Sequence, residues 1–183
     1  MQEHTRLSLA QYRAIAEAPE NADKRFELID GEIVEVSPNF ITSVIAINIA
    51  TALKIYIKSN NLGHVTGADG GYELPNGDKY NPDVGFILHE RLKIIPEGEV
   101  PMMPDLAVEV ILPSDLKNKR RIEHKLKTYL ELKVPLVWYV YPNRREVEVY
   151  TAGDHTAMHD ENDILDGGDL LPGFTLSIRE ILL

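Results

Sequence analysis

Two runs of this sequence, "LAVEVIL" at residues 106–112 and "PLVWYVY" at 135–141, are apolar almost without a break. A strand with one wet face alternates apolar and polar residues, whereas a near-continuous apolar run demands burial on both faces. Between the two runs lies "PSDLKNKRRIEHKLKTYLELKV", whose apolar residues recur at helical spacing. The three pieces therefore read as a parallel strand, helix and strand, with both strands in the middle of a sheet. A chain that contains such a unit must cover that sheet on both sides.

The rest of the chain supplies the cover. Residues 7–17 have helical spacing with Ser8 as N-cap. "RFELIDGEIVEV" places Asp30-Gly31 between two β-prone runs, a hairpin signal because both turn positions tolerate positive φ. Pro38 ends the second run, and residues 41–60 then form a long helix, too widely apolar for the surface and expected to pack centrally against the sheet, with Gly63 near its stop. Short strands are expected around Pro75-Asn76-Gly77-Asp78, followed by the strand "PDVGFIL" and an irregular connection. The helix after "LAVEVIL" is expected over 115–133, capped by Ser114 or Asp115. "PLVWYVY" and "REVEVYT" pair through Pro142-Asn143, Trp138 is a core residue, and the tail "GDLLPGFTLSIREILL" returns as a strand and a helical turn. The expected class is α/β (α+β mixed): a central mixed β-sheet flanked by helices. No composition shift or repeat divides residues 1–183, which read as a single domain.

A net charge of −10 argues against binding long nucleic acid through a general electrostatic field. The basic residues are clustered, however. Lys117, Lys119, Arg120, Arg121, Lys125 and Lys127 all lie in "LKNKRRIEHKLK". The absence of cysteine excludes disulfides and thiolate metal sites and fits the reducing cytoplasm. No signal peptide is read in the polar N-terminus, and no membrane-spanning apolar run is expected. The six histidines show no metal-ligand spacing.

One residue of "LAVEVIL" does not belong in a buried strand. Glu109 sits in its middle, unlike Asp105 and Asp115, which lie near the ends where solvent is expected to reach them. An ionised carboxylate in such a strand needs a cation, a hydrogen-bond network or a water-filled cleft. Asp83, at the head of "PDVGFIL", is a second strand-borne acid. A lysine is within reach: on an ideal helix, Ile122, Leu126, Tyr129, Leu130, Leu132 and Lys133 define an arc facing the sheet, and Lys125 falls inside it while Arg120, His124 and Lys127 do not. Two acids and a lysine are the working parts of a metal-dependent phosphodiesterase. Asp83 and Glu109 would hold Mg²⁺ (or Mn²⁺), and Lys125 would orient water or offset charge on phosphorus.

"PD" at Pro82-Asp83 followed by "EVI" at Glu109 resembles the PD-(D/E)XK nuclease signature, with Ile111 where that signature has its lysine. The series "FELIDGEIVEVSP", "NPDVGFIL", "MPDLAVEVILPSD" and "KLKTYLELKVPLVWYVYP" resembles the Uma-two family of bacterial restriction-endonuclease-like domains, over most of the chain. The resemblance implies a restriction-endonuclease-like fold, Lys125 (in "K-x-x-x-Y" with Tyr129) in place of the displaced lysine, and Glu27 beside the metal. Where family members often have a His at the start of the long helix, this chain has Thr42 and Ser43. The expected function is a metal-dependent endonuclease hydrolysing phosphodiester bonds of nucleic acid, DNA before RNA, with Lys117, Lys119, Arg120 and Arg121 on the phosphate backbone, no membrane partner, and a homodimer by analogy with enzymes that cut both strands. The alternative is a non-catalytic interaction or regulatory protein that retains the fold.

Overall fold

A computed structural model describes residues 6–37, 39–152 and 154–182; Pro38, expected to end a strand, lies outside them. The strand, helix and strand unit is present. β7 (Leu106–Val110) and β8 (Leu136–Tyr141) run parallel in the register Leu106↔Leu136 to Val110↔Val140, and every residue of both is buried. They are the middle of a six-stranded sheet ordered β10-β9-β8-β7-β6-β3. Its other members are β3 (Gly63–Gly67), β6 (Val84–Leu88), β9 (Glu146–Thr151) and β10 (Asp154–Asp160). All its pairings except β7 with β8 are antiparallel, so the sheet is mixed.

Alternation along the strands divides the core in two. Val84, Phe86, Val108, Val110, Trp138 and Val140 point to one face, where Ile45, Ile49, Leu53 and Ile57 of α2 (Phe40–Ser59) cover them. Burying each of these helix side chains contributes about 1.5–3 kcal/mol. The same layer contains the hairpin β11 (Ile164–Gly167) and β12 (Leu171–Ser177), the four-residue α4 (Ile178–Ile181), and Phe174 stacked on Trp138. Ile87, Ala107, Ile111, Val137 and Tyr139 point to the other face, under α3 (Lys119–Glu131) and a small sheet. That sheet has the order β2-β1-β5-β4, from β1 (Phe26–Ile29), β2 (Glu32–Glu35), β4 (Tyr72–Glu73) and β5 (Lys79–Tyr80). Asp30 and Gly31 both adopt positive φ (52° and 73°), as the two-residue hairpin requires. α1 (Leu9–Ala16) starts at Ser8 with a full capping box to Gln11.

Several expectations are corrected. Asp105 is not in reach of solvent; it is 2% exposed, accepting from Leu88 N–H (2.8 Å) and the Arg91 guanidinium (2.6 Å). α3 begins at Lys119, not Asp115, after a 3₁₀ turn over Asp115–Asn118 in which the Asp115 carboxylate accepts from Leu112 N–H instead of capping the helix. It ends at Glu131, and Lys133 (φ 56°) lies in the left-handed turn beyond. Gly63 does not stop α2, which ends at Ser59 with Asn60 as its C-cap; a Cβ at Gly63 would lie 2.0 Å from the Ile87 carbonyl oxygen, so glycine permits β3 to approach β6. α2, at 20 residues, is long and apolar enough to cross a bilayer by length and composition, contrary to expectation, although one of its faces is core. β10 and β11 were not foreseen.

Candidate active site

The site is built where the two sheets and α3 meet. Extending the ladder Val84↔Val108 by one position sets Asp83 across from Glu109 on the face toward α3. Glu109 pairs in register with Tyr139 on its other side. Glu27 reaches in from β1 of the small sheet, and Lys125 descends from α3. All four side chains line one cleft of about 450 Å³, with Asn39, Thr42, Asp115, Asn118, Arg121 and Tyr139 among its walls.

Lys125 is the hub. Its Nζ lies 2.7 Å from Glu109 Oε1 and 3.0 Å from Glu27 Oε1, and it sits 5.2 Å above the centre of the Tyr80 ring. Glu109 Oε1 also accepts from Tyr129 O–H at 2.9 Å, and Glu27 Oε1 accepts from Asn81 N–H at 2.7 Å. Asp83 is held through Oδ2, which accepts from Val110 N–H at 2.7 Å. The partners of Glu109 are therefore a lysine and a tyrosine, where a metal shared with Asp83 was the expectation.

The electrostatics follow from burial. Desolvation pushes the Asp83 carboxyl up to about 6, against the pull of Val110 N–H and Lys125. The same effect raises Glu109, reinforced by Glu27 and Asp83 and opposed by Lys125. Desolvation works the other way on the lysine, but the charges of Glu109 and Glu27 more than offset it and hold Lys125 protonated above its ordinary range. Tyr129 and Tyr139 are raised by burial and then by Glu109, so both are neutral donors at physiological pH.

Ionised together, three carboxylates against one ammonium leave two negative charges uncompensated on the floor of the cleft. Asp83 Oδ1 and Glu109 Oε2 have no hydrogen-bond partner among the described residues. These oxygens could hold a hard divalent cation, and the donor set fits Mg²⁺, which needs few protein carboxylates and keeps its own waters. Glu27 is engaged through Oε1 with Lys125 and Asn81. Among the described residues no three His, Asp or Glu side chains form a ready metal cage.

The basic segment is divided. Lys117, Lys119 and Arg120 are exposed, Lys119 paired with Glu123 and Arg120 lying 3.7 Å from Asp30. Arg121 lines both the main cleft and an adjoining cavity of about 210 Å³, and it has no ion pair among the described residues. Thr42 lines the cleft. Tyr80, Asn81 and Tyr139 were missed from sequence. The run "KYNPD" did place two of them just before Asp83, and strand alternation beside Glu109 could have identified the third.

A crystal structure of a "putative nuclease" of DUF820 from Anabaena variabilis resembles this fold with a TM-score of 0.75, covering 96% of this chain and 97% of that one at 18% identity. No curated protein matches the chain significantly. The family model Uma2, described as "Putative restriction endonuclease", matches residues 9–179, and the chain belongs to that family.

Proposed function

We propose that this chain is a metal-dependent endonuclease acting on phosphodiester bonds of nucleic acid, with DNA as its substrate. The observation that carries the reading is Lys125, a buried ammonium bound by Glu109 and Glu27 beside Asp83 in an open cleft. A divalent cation held by Asp83 and Glu109, Mg²⁺ or Mn²⁺, would supply an activated water and neutralise phosphate charge. Lys125 stays protonated, so its role is to offset charge developing on the phosphoryl oxygens, not to accept a proton. Glu27 and Tyr129 keep the lysine and Glu109 in place; in this reading Glu27 supports the site through Lys125. Arg121 meets a neighbouring phosphate at the cleft mouth, and Lys117, Lys119 and Arg120 meet the backbone beyond it. The reading also has the chain in the cytoplasm, acting as a homodimer where both strands are cut.

Plasmid nicking in Mg²⁺ or Mn²⁺ tests the proposal. Glu109→Gln, Asp83→Asn and Lys125→Met should each lower the rate by about a hundredfold or more. Arg121→Ala should weaken DNA binding and reduce its logarithmic salt slope by about one. Nicking that survives Glu109→Gln would assign the activity elsewhere.

One observation favours a second reading, a non-catalytic interaction or regulatory protein: the described residues form no metal cage, and Lys125 is already saturated by carboxylates. Titration calorimetry separates the two. A Mn²⁺ signal lost in Asp83→Ala supports the enzyme, and no signal in the wild type supports the alternative.

A further inference from the structure

α2 has two apolar stripes. Ile45, Ile49, Leu53 and Ile57 form the buried one. At about 100° per residue, Phe40, Val44, Ile47, Thr51 and Ile55 run along the opposite side of the helix. Phe40 is 82% exposed, Ile47 62% and Ile55 65%, with Ile41 (43%) beside them. Single exposed isoleucines are ordinary, but a line of them along a helix is the mark of an interaction surface.

We propose that this face of α2 packs against the same face of a second copy of the chain, the two helices running antiparallel about a two-fold axis beside Ile47. The inference gives the homodimer of the nuclease reading a specific surface, and it is argued from α2 alone, so its failure leaves the proposed chemistry untouched. Successive spacings of four, three, four and four residues are those of a helix-pair seam. The stripe is centred between residues 47 and 48, so antiparallel pairing matches Phe40 with Ile55 and Val44 with Thr51.

Charge selects both the partner and the direction. Each copy carries a net charge of −10, so two copies repel wherever their carboxylates meet. α2 contains no Asp or Glu, which makes its outer face the place where that repulsion is weakest. Its only charged residues, Lys54 and Lys58, lie in the C-terminal turns. Antiparallel packing sends them to opposite ends of the pair, whereas parallel packing sets them side by side. At about 200 Å² per large side chain, the four exposed residues offer roughly 500 Å². The flanking Val44, Thr51 and lysine methylenes extend this toward the roughly 800 Å² per partner of a stable interface. Because Asn39 and Thr42 at the start of α2 line the cleft, the two clefts would open at opposite ends of the helix pair.

The absence of cysteine permits a clean test. Under mild oxidation Ile47→Cys should cross-link to itself; Phe40→Cys and Ile55→Cys should not cross-link separately but should do so when mixed. Light scattering should give the wild type about twice 20.6 kDa and Ile47→Asp a single copy with unchanged circular dichroism. If Ile47→Asp fails to fold, the cysteine variants decide alone. A monomeric wild type, or Phe40→Cys that cross-links to itself, overturns the proposal. So does a monomer that floats with phosphatidylglycerol vesicles and loses that property in Ile47→Asp, which would make a membrane surface the occupant.

Discussion

Replacing Lys125 by methionine removes the cation while keeping most of the volume. The ammonium lies 2.7 Å from one carboxylate and 3.0 Å from another, and at an effective dielectric near 20 each contact is worth about 6 kcal/mol of attraction. Desolvation of three buried ions cancels most of that sum, so the intact cluster adds little net stability. The variant is a different case. Its loss of the partner strands Glu27 and Glu109, both under a tenth exposed, without a counter-ion, and removing one side of a buried pair costs about 3–5 kcal/mol. The deficit must also depend on pH. Burial already raises Glu109, and removing the lysine raises it further. A carboxyl raised in the folded state is tolerated when protonated, so the deficit is smallest below its unfolded value and grows as pH climbs through the folded one. Urea unfolding at about pH 5 and about pH 7.5 should show the larger loss at the higher pH, partly recovered in Lys125→Met/Glu109→Gln. A variant as stable as the wild type at neutral pH, or a deficit equal at both, would refute the argument.

Asp83→Asn should stabilise the metal-free protein at neutral pH. The native carboxyl is raised from 3.8 to about 6, so the stability it contributes is complete below about 4 and lost as pH rises to about 6, on the order of 3 kcal/mol. Thermal unfolding of both proteins across that window should show the curves meeting at low pH and separating above it. Asp105→Ala leaves Leu88 N–H and the Arg91 guanidinium without their acceptor and should cost about 3 kcal/mol in urea titration, with Asp105→Asn intermediate. Gly63→Ala drives a methyl against the Ile87 carbonyl and should cost about 1–3 kcal/mol, read as a lowered melting temperature.

Glu109 and Lys125 were legible because each violates a local pattern: an acid inside an apolar run, and a lysine inside an apolar arc. The pattern even erred usefully at α3. The arc includes Tyr129 and Lys125, which are buried, but also Leu126 and Leu130, which are only half-buried, and it leaves out Thr128, which faces fully inward. Asp105 violates the same rule but was read as a strand end, because its cation, Arg91, arrives from an irregular connection 14 residues upstream. Local periodicity contains no information about such a partner. The second stripe of α2 was hidden for a related reason. Isoleucines around the whole helix suggested complete burial, and only the placement of the sheet reveals which of them remain outside. β10 (DHTAMHD) and β11 (ILDG) have little β-prone apolar sequence of their own and acquire their extended form from pairing with β9 and β12.

The contact between Glu27 and Lys125 joins residues 98 positions apart, and it connects the small sheet to the helix that covers the large one. Loops of that length close late, after local hairpins and helices have formed. The complete cluster of Glu27, Glu109 and Lys125 consequently requires the two layers to dock. Before that docking, Glu109 and Lys125 belong to one strand and helix unit while Glu27 lies on the other sheet. If the proposed hydrolysis is the function, activity toward nucleic acid would be confined to molecules in which the layers have docked.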